Sequence, residues 1–124
     1  MTAAETDIAR IDALVGTWLA LPDIATILDI PVTRVHRLIE EGALVDVRRG
    51  TPVVRSVPAD FLLEHEVVPH LPGTLTLLRD QGLSDVELIE WLFTEDDSLP
   101  GTPISHLRRG QRGEVRRRAQ SLGF

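Results

Sequence analysis

Apolar residues recur with helical spacing from Ile8 onward: Ile8, Ile11, Leu14, Val15 and Trp18 fall on one face. Leu21-Pro22-Asp23 breaks the run, and Pro22 suits the first turn of a short second helix with Ile24, Ala25 and Leu28 inward. Asp29-Ile30-Pro31 then turns tightly into a third helix over residues 32–41, with Val35, Leu38 and Ile39 inward and Gly42 as its stop. At Leu44 the rhythm changes. Residues 44–48 and 53–57 are rich in valine and flank Arg49-Gly50-Thr51-Pro52, which predicts a β-hairpin over 44–57. Pro58 closes the hairpin, and residues 59–68 read as a further helix carrying Phe61, Leu62 and His65.

Pro69, Pro72 and Gly73 mark a module boundary. Beyond it, residues 74–81 form a helix stopped by Gly82. Ser84-Asp85-Val86-Glu87 is a capping box that opens an amphipathic helix through Phe93. An acidic loop over 94–101 leads to Thr102-Pro103, a cap and first turn, and the final helix uses Val115, Ala119 and Leu122 as its inward stripe. The predicted fold is mainly α with a small β-hairpin. A flexible tail over 1–7 precedes a winged helix-turn-helix over 8–68 and a C-terminal helical domain over 69–124.

Composition narrows the class. The absence of cysteine from the 124 residues excludes disulfides, thiol catalysis and Cys-based zinc sites. No apolar run approaches the ~18–20 residues of a membrane span. The start MTAAETDIAR lacks the basic and apolar regions of a secretion signal, so the expected address is the cytoplasm. His36, His65, His70 and His106 form no metal-ligand spacing, and Glu64-His65-Glu66 with His70 reads as a surface helix end. With no phosphate-cradling glycine loop and no G-x-S-x-G, neither a catalytic residue, a metal site nor a cofactor is expected.

The formal charge of −6 conceals a segregated layout. Residues 1–29 carry −4, 30–57 carry +2, 58–103 carry −9 and 104–124 carry +5, so two basic islands lie in an acidic chain. Local potential, more than net charge, steers a polyanion. In the first island the third helix presents Thr33, Arg34, His36, Arg37 and Glu41 outward. Its fixed projection from the turn suits a major groove one helix wide. Arg34 and Arg37 can each grip a guanine edge or a phosphate through paired N–H donors, and Thr33 stands where a phosphate meets the helix start. The hairpin adds Arg48, Arg49 and Thr51 at its tip and Arg55 on the returning strand. Charged hairpin tips are common for solubility, but the adjacent Arg48 and Arg49 at the tip, together with Arg34 and Arg37 on the helix, favour one phosphate-facing surface. The second island (Arg108, Arg109, Arg112, Arg116, Arg117 and Arg118) allows a solvated face, pairing with the acidic stretch 85–97, or further phosphate contacts.

The stretch LPDIATILDIPVTRVHRLIEEGAL resembles MerR-type and excisionase-type winged helices through Ile24-Ala25, Leu28, Ile30, Val35, Arg37-Leu38-Ile39, Gly42 and Leu44. Many relatives carry a Ser or Thr cap where this chain has Pro31. The whole chain resembles small actinobacterial winged-helix DNA-binding proteins that are substrates of a membrane-linked Ser/Thr kinase. That resemblance implies a cytoplasmic regulator of transcription, bound to double-stranded DNA at the nucleoid. It also implies a phosphate-accepting threonine near the N-terminus, Thr6 or Thr2, whose modification weakens DNA binding. Residues 70–124 resemble the toxin-binding domain of Xre/ParS-type antitoxins through Glu90-Trp91-Leu92-Phe93, Leu99, Gly101-Thr102-Pro103-Ile104, Leu107 and Gly113 to Val115. The alternative this implies is a protein-interaction module, with partner binding or self-association through the C-terminal half.

Overall fold

The computed structural model describes the backbone of residues 3–122 and the side chains of residues 7–122. Helix α1 (Ala3–Val15) starts well before the apolar period does. Ala3 and Ala4 have high intrinsic helix propensity. The segment expected as a flexible tail is therefore helical from Ala3. Thr2 lies outside the described residues; Thr6 falls within α1, its side chain outside them. Gly16, at φ +82°, takes a left-handed conformation that costs glycine little, and the helix ends there. Trp18 consequently leaves the helical stripe in which its spacing placed it and opens strand β1 (Trp18–Ala20).

Helices α2 (Leu21–Leu28) and α3 (Val32–Glu40) form the expected pair. Pro31 caps α3 in an extended conformation without any side-chain bond, so the missing Ser or Thr does not move the helix start. Strands β2 (Val47–Arg49) and β3 (Val54–Pro58) make the hairpin, and β1 adds to its far side in the antiparallel order β1-β3-β2.

Residues 59–68 depart from the predicted helix. A 3-10 turn (Ala59–Phe61) leads into a second small hairpin, β4 (Leu62–Leu63) and β5 (Glu66–Val67). Prolines bracket the segment and Val67-Val68 disfavours helix. Arg108 then takes two carbonyls that a helix would use internally, donating from Nη1 to Asp60 O at 2.9 Å and to Leu62 O at 2.5 Å.

The remainder is helical: α4 (Leu71–Asp80), α5 (Asp85–Leu92), α6 (Pro103–Arg108) and α7 (Arg112–Gln120). The capping box forms as expected, with Ser84 Oγ accepting from Glu87 N–H at 3.2 Å and Glu87 Oε1 accepting from Ser84 N–H at 2.9 Å. Hydrogen bonding from the Ser84 backbone N–H, and then from its hydroxyl, holds the Glu87 carboxyl below the usual carboxylate range. Its stabilising effect is accordingly present above that range and lost as pH falls through the depressed folded value. Thr102 Oγ1 caps α6 by accepting from Ser105 N–H at 3.2 Å.

One continuous apolar core runs through both halves. Phe61, fully buried, lies 5.9 Å ring to ring from Phe93 just beyond α5. Two polar links reinforce the contact: Arg10 Nε lies 2.5 Å from Glu90 Oε2, joining α1 to α5, and Arg79 Nη1 donates to Gly42 O at 2.8 Å, joining α4 to the end of α3. The change of architecture near residue 69 is thus no break in packing.

Candidate nucleic-acid interface

Helix α3 is fixed from beneath. Val35 is fully buried, Leu38 and Ile39 are half-buried, and Ala25 of α2 is nearly buried where the two helices pack. Ile30 N–H closes the turn onto Ala25 O at 3.0 Å. The opposite side of α3 leaves Thr33, Arg34 and Arg37 exposed. Neither guanidinium forms an ion pair or hydrogen bond among the described residues.

The wing register sorts its arginines by side. Arg48 pairs with Arg55 across β2 and β3, so both project from one face of the sheet, while Arg49 and its partner Val54 project from the other. On the first face Arg55 Nε donates to Asp46 Oδ2 at 2.6 Å, and Arg55 Nη1 lies 3.1 Å from Nδ1 of His36 on α3. The Asp46 hydrogen bond raises the Arg55 pKa beyond its ordinary value, so the guanidinium stays charged. Because a guanidinium only donates, His36 Nδ1 must accept, and a neutral imidazole then carries its proton on Nε2. Asp46, Arg55 and His36 thereby weld the wing to α3 and set His36 as a donor through Nε2. Arg48 is exposed beside this relay, and Thr51 is exposed at the hairpin tip.

Arg49 does not join the group of four in which its sequence position placed it. Strand alternation turns it toward α1, where Nε and Nη2 donate to the Asp12 carboxylate at 3.0 and 2.8 Å and the guanidinium stands 5.1 Å over the Trp18 ring. It is a positioning residue that braces the wing against α1. Asp12, Trp18 and Asp46, which hold the two wing arginines, are contacts that sequence reading missed. Asp46 was within reach, since it shares strand parity with Arg48; Asp12 and Trp18 carried no such signal.

The C-terminal arginines separate by partner. Arg108 is spent on carbonyls, Arg117 pairs with Glu114, and Arg118 reaches Ser98 and lies 3.8 Å from Asp96. Of the acidic stretch 85–97, then, this island engages Asp96. Arg109, Arg112 and Arg116 remain exposed. The residues behind the antitoxin resemblance mostly serve the core: Leu92, Phe93, Leu99, Pro103, Ile104 and Leu107 are buried and Trp91 is half-buried. Glu64 and His65 sit in the β4–β5 turn, and no group of three or more potential metal ligands gathers among the described residues.

Residues 8–62 match the winged helix-turn-helix domain of DNA-binding protein Rv2175c, and residues 68–123 match the Rv2175c C-terminal domain, whose function is unknown. DNA-binding protein Rv2175c of Mycobacterium tuberculosis is 40% identical, with 84% of this chain and 79% of that protein covered. The chain belongs to the Rv2175c family. The fold agrees: the NMR structure of Rv2175c superposes with a TM-score of 0.78 at 36% identity, covering 87% of this chain and 82% of that one. In this member of the Rv2175c family the helix-turn-helix and the wing are α2, α3 and the β2–β3 hairpin. No helix among the described residues is long and apolar enough to cross a membrane.

Proposed function

We propose that this Rv2175c-family protein is a cytoplasmic transcription regulator that binds duplex DNA at the nucleoid through α3 and the β2–β3 wing. The observation that carries the reading is the 3.1 Å contact between Arg55 and His36, because it fixes the exposed Arg34 and Arg37 of α3 relative to Arg48 of the wing. Arg34 and Arg37 grip base edges or phosphates, Thr33 bonds a phosphate at the helix start, and Arg48 and Thr51 hold the flanking backbone. His36 offers its Nε2 proton to an acceptor such as guanine N7 or O6. Arg49 and Arg55 act by positioning. The name of the mycobacterial relative supports the same partner.

A Ser/Thr kinase acting on Thr6 or Thr2 completes the reading. A phosphothreonine adds about two negative charges, and Thr6 lies on α1, the helix that braces the wing through Asp12 and Arg49. Repulsion between that added charge and the DNA phosphates acts to weaken binding.

Fluorescence anisotropy with duplexes at two salt concentrations tests the proposal. Affinity falls steeply as salt rises, since each neutralised phosphate contributes a slope of roughly 0.9 in log affinity against log salt. Arg55→Gln lowers the preference for a selected sequence over random duplex while changing that slope by less than about one unit. Thr6→Glu weakens both. Salt-independent affinity, or selectivity unchanged in Arg55→Gln, contradicts the reading.

A further inference from the structure

A groove of about 530 Å³ lies between α4 and α7, within the half of the chain whose family domain has no known function. The two helices run side by side in the same direction. At one end Arg112 Nη1 of α7 lies 2.9 Å from the ring nitrogens of His70, which precedes α4; at the other, Gln81 Nε2 donates to Gln120 O at 3.4 Å. Both positive helix ends therefore meet at the His70 end. Arg116 stands one turn along α7 from Arg112, on the same face. Both arginines are exposed and line the groove, and Arg116 has no partner among the described residues. Glu114, the acid in the first turn of α7, is engaged by Arg117. Asp80 lines the same groove from the far end of α4, about 15 Å away at 1.5 Å per residue.

The groove is thus polarised, with forked cationic donors at one end and a carboxylate at the other. Guanidinium forks match phosphate oxygens, and a carboxylate accepts from hydroxyl or amino groups. A volume of this order holds a small molecule. The DNA backbone fits less well. Glu40, Glu41, Asp80 and Asp85 line the adjoining depression between α3 and this groove, so a duplex seated on α3 meets carboxylates first.

We propose that the α4–α7 groove binds a small phosphorylated molecule bearing hydroxyl or amino groups, with its phosphate on Arg112 and Arg116 and its donor groups toward Asp80. The site is independent of the DNA reading.

The test titrates the full-length 15N-labelled protein with inorganic phosphate, ribose 5-phosphate and ribose, following the amides of Gly73, Thr74 and Arg116. Inorganic phosphate shifts these amides, ribose 5-phosphate binds more tightly, and ribose alone does nothing. Arg112→Ala with Arg116→Ala weakens both phosphates by about tenfold or more and leaves DNA affinity and its salt slope as in the wild type. Asp80→Asn narrows the preference for ribose 5-phosphate over inorganic phosphate. Absence of any phosphate-induced shift, shifts that persist in the double variant, or an unchanged preference in Asp80→Asn overturns the proposal. So does a fall in the DNA salt slope on removing Arg112 and Arg116, which assigns the groove to the duplex backbone.

Discussion

Replacing Arg34 and Arg37 together with alanine lowers duplex affinity by about a hundredfold or more at low salt, since each well-placed bidentate contact contributes roughly 1–3 kcal/mol. It also flattens the salt dependence by close to two units, roughly 0.9 for each lost phosphate contact if both side chains bind the backbone. The two losses separate the roles. If both arginines read bases, discrimination between sequences collapses and the slope barely moves; if both hold phosphates, the slope falls and selectivity survives. The fold is expected to persist, because both side chains are exposed and α3 is held by Val35, Leu38 and Ile39 on its other face. Circular dichroism and a thermal melt check that point. Wild-type affinity and slope in the double variant remove α3 from the interface.

Phe61→Ala has the largest expected effect on stability. Phe61 is fully buried and packs near Phe93 at the seam between the winged helix and the C-terminal helices. Truncating such a side chain costs about 3–5 kcal/mol, a large part of the roughly 5–15 kcal/mol that holds a domain together. Because one core spans the seam, both halves are expected to lose stability together. The two tryptophans report on the halves separately: Trp18 lies in β1 and Trp91 in α5. Urea unfolding of Trp18→Phe and Trp91→Phe backgrounds, each with and without Phe61→Ala, follows them one at a time. Coincident midpoints that move together support the shared core. A midpoint that moves for one tryptophan alone shows two independent units.

Local chemistry made much of this structure legible in the sequence. The α2–α3 pair follows from Pro22, the inward Ile24, Ala25 and Val35, and Gly42; the capping box at Ser84 and the Thr102 cap place two later helices. The features that escaped reading depend on distant partners. Trp18 fits a helical stripe until Gly16 ends the helix, and only pairing with β3, Trp18 opposite Pro58, makes it strand. Residues 59–68 carry a helical apolar pattern, yet Arg108, far along the chain, takes the carbonyls that a helix needs. The candidate site shows the same division. Exposure of Arg34 and Arg37 follows from helical period alone. The fates of Arg49 and Arg55 are set by strand register and by Asp12, Asp46 and His36, three carboxylate or imidazole groups that composition does not associate with them. Arginine count indicated a basic surface; pairing decides which arginines are free to serve it.

The central claim is that α3 and the wing form one DNA-facing surface. Mapping amide and arginine side-chain shifts on the full-length protein as duplex is added examines it most directly. The account predicts that Thr33, Arg34, His36, Arg37, Arg48 and Thr51 move together on one binding curve, while α5, α6 and α7 stay still. Shifts centred on the C-terminal helices, with the Arg34 and Arg37 side chains unmoved at saturation, contradict it.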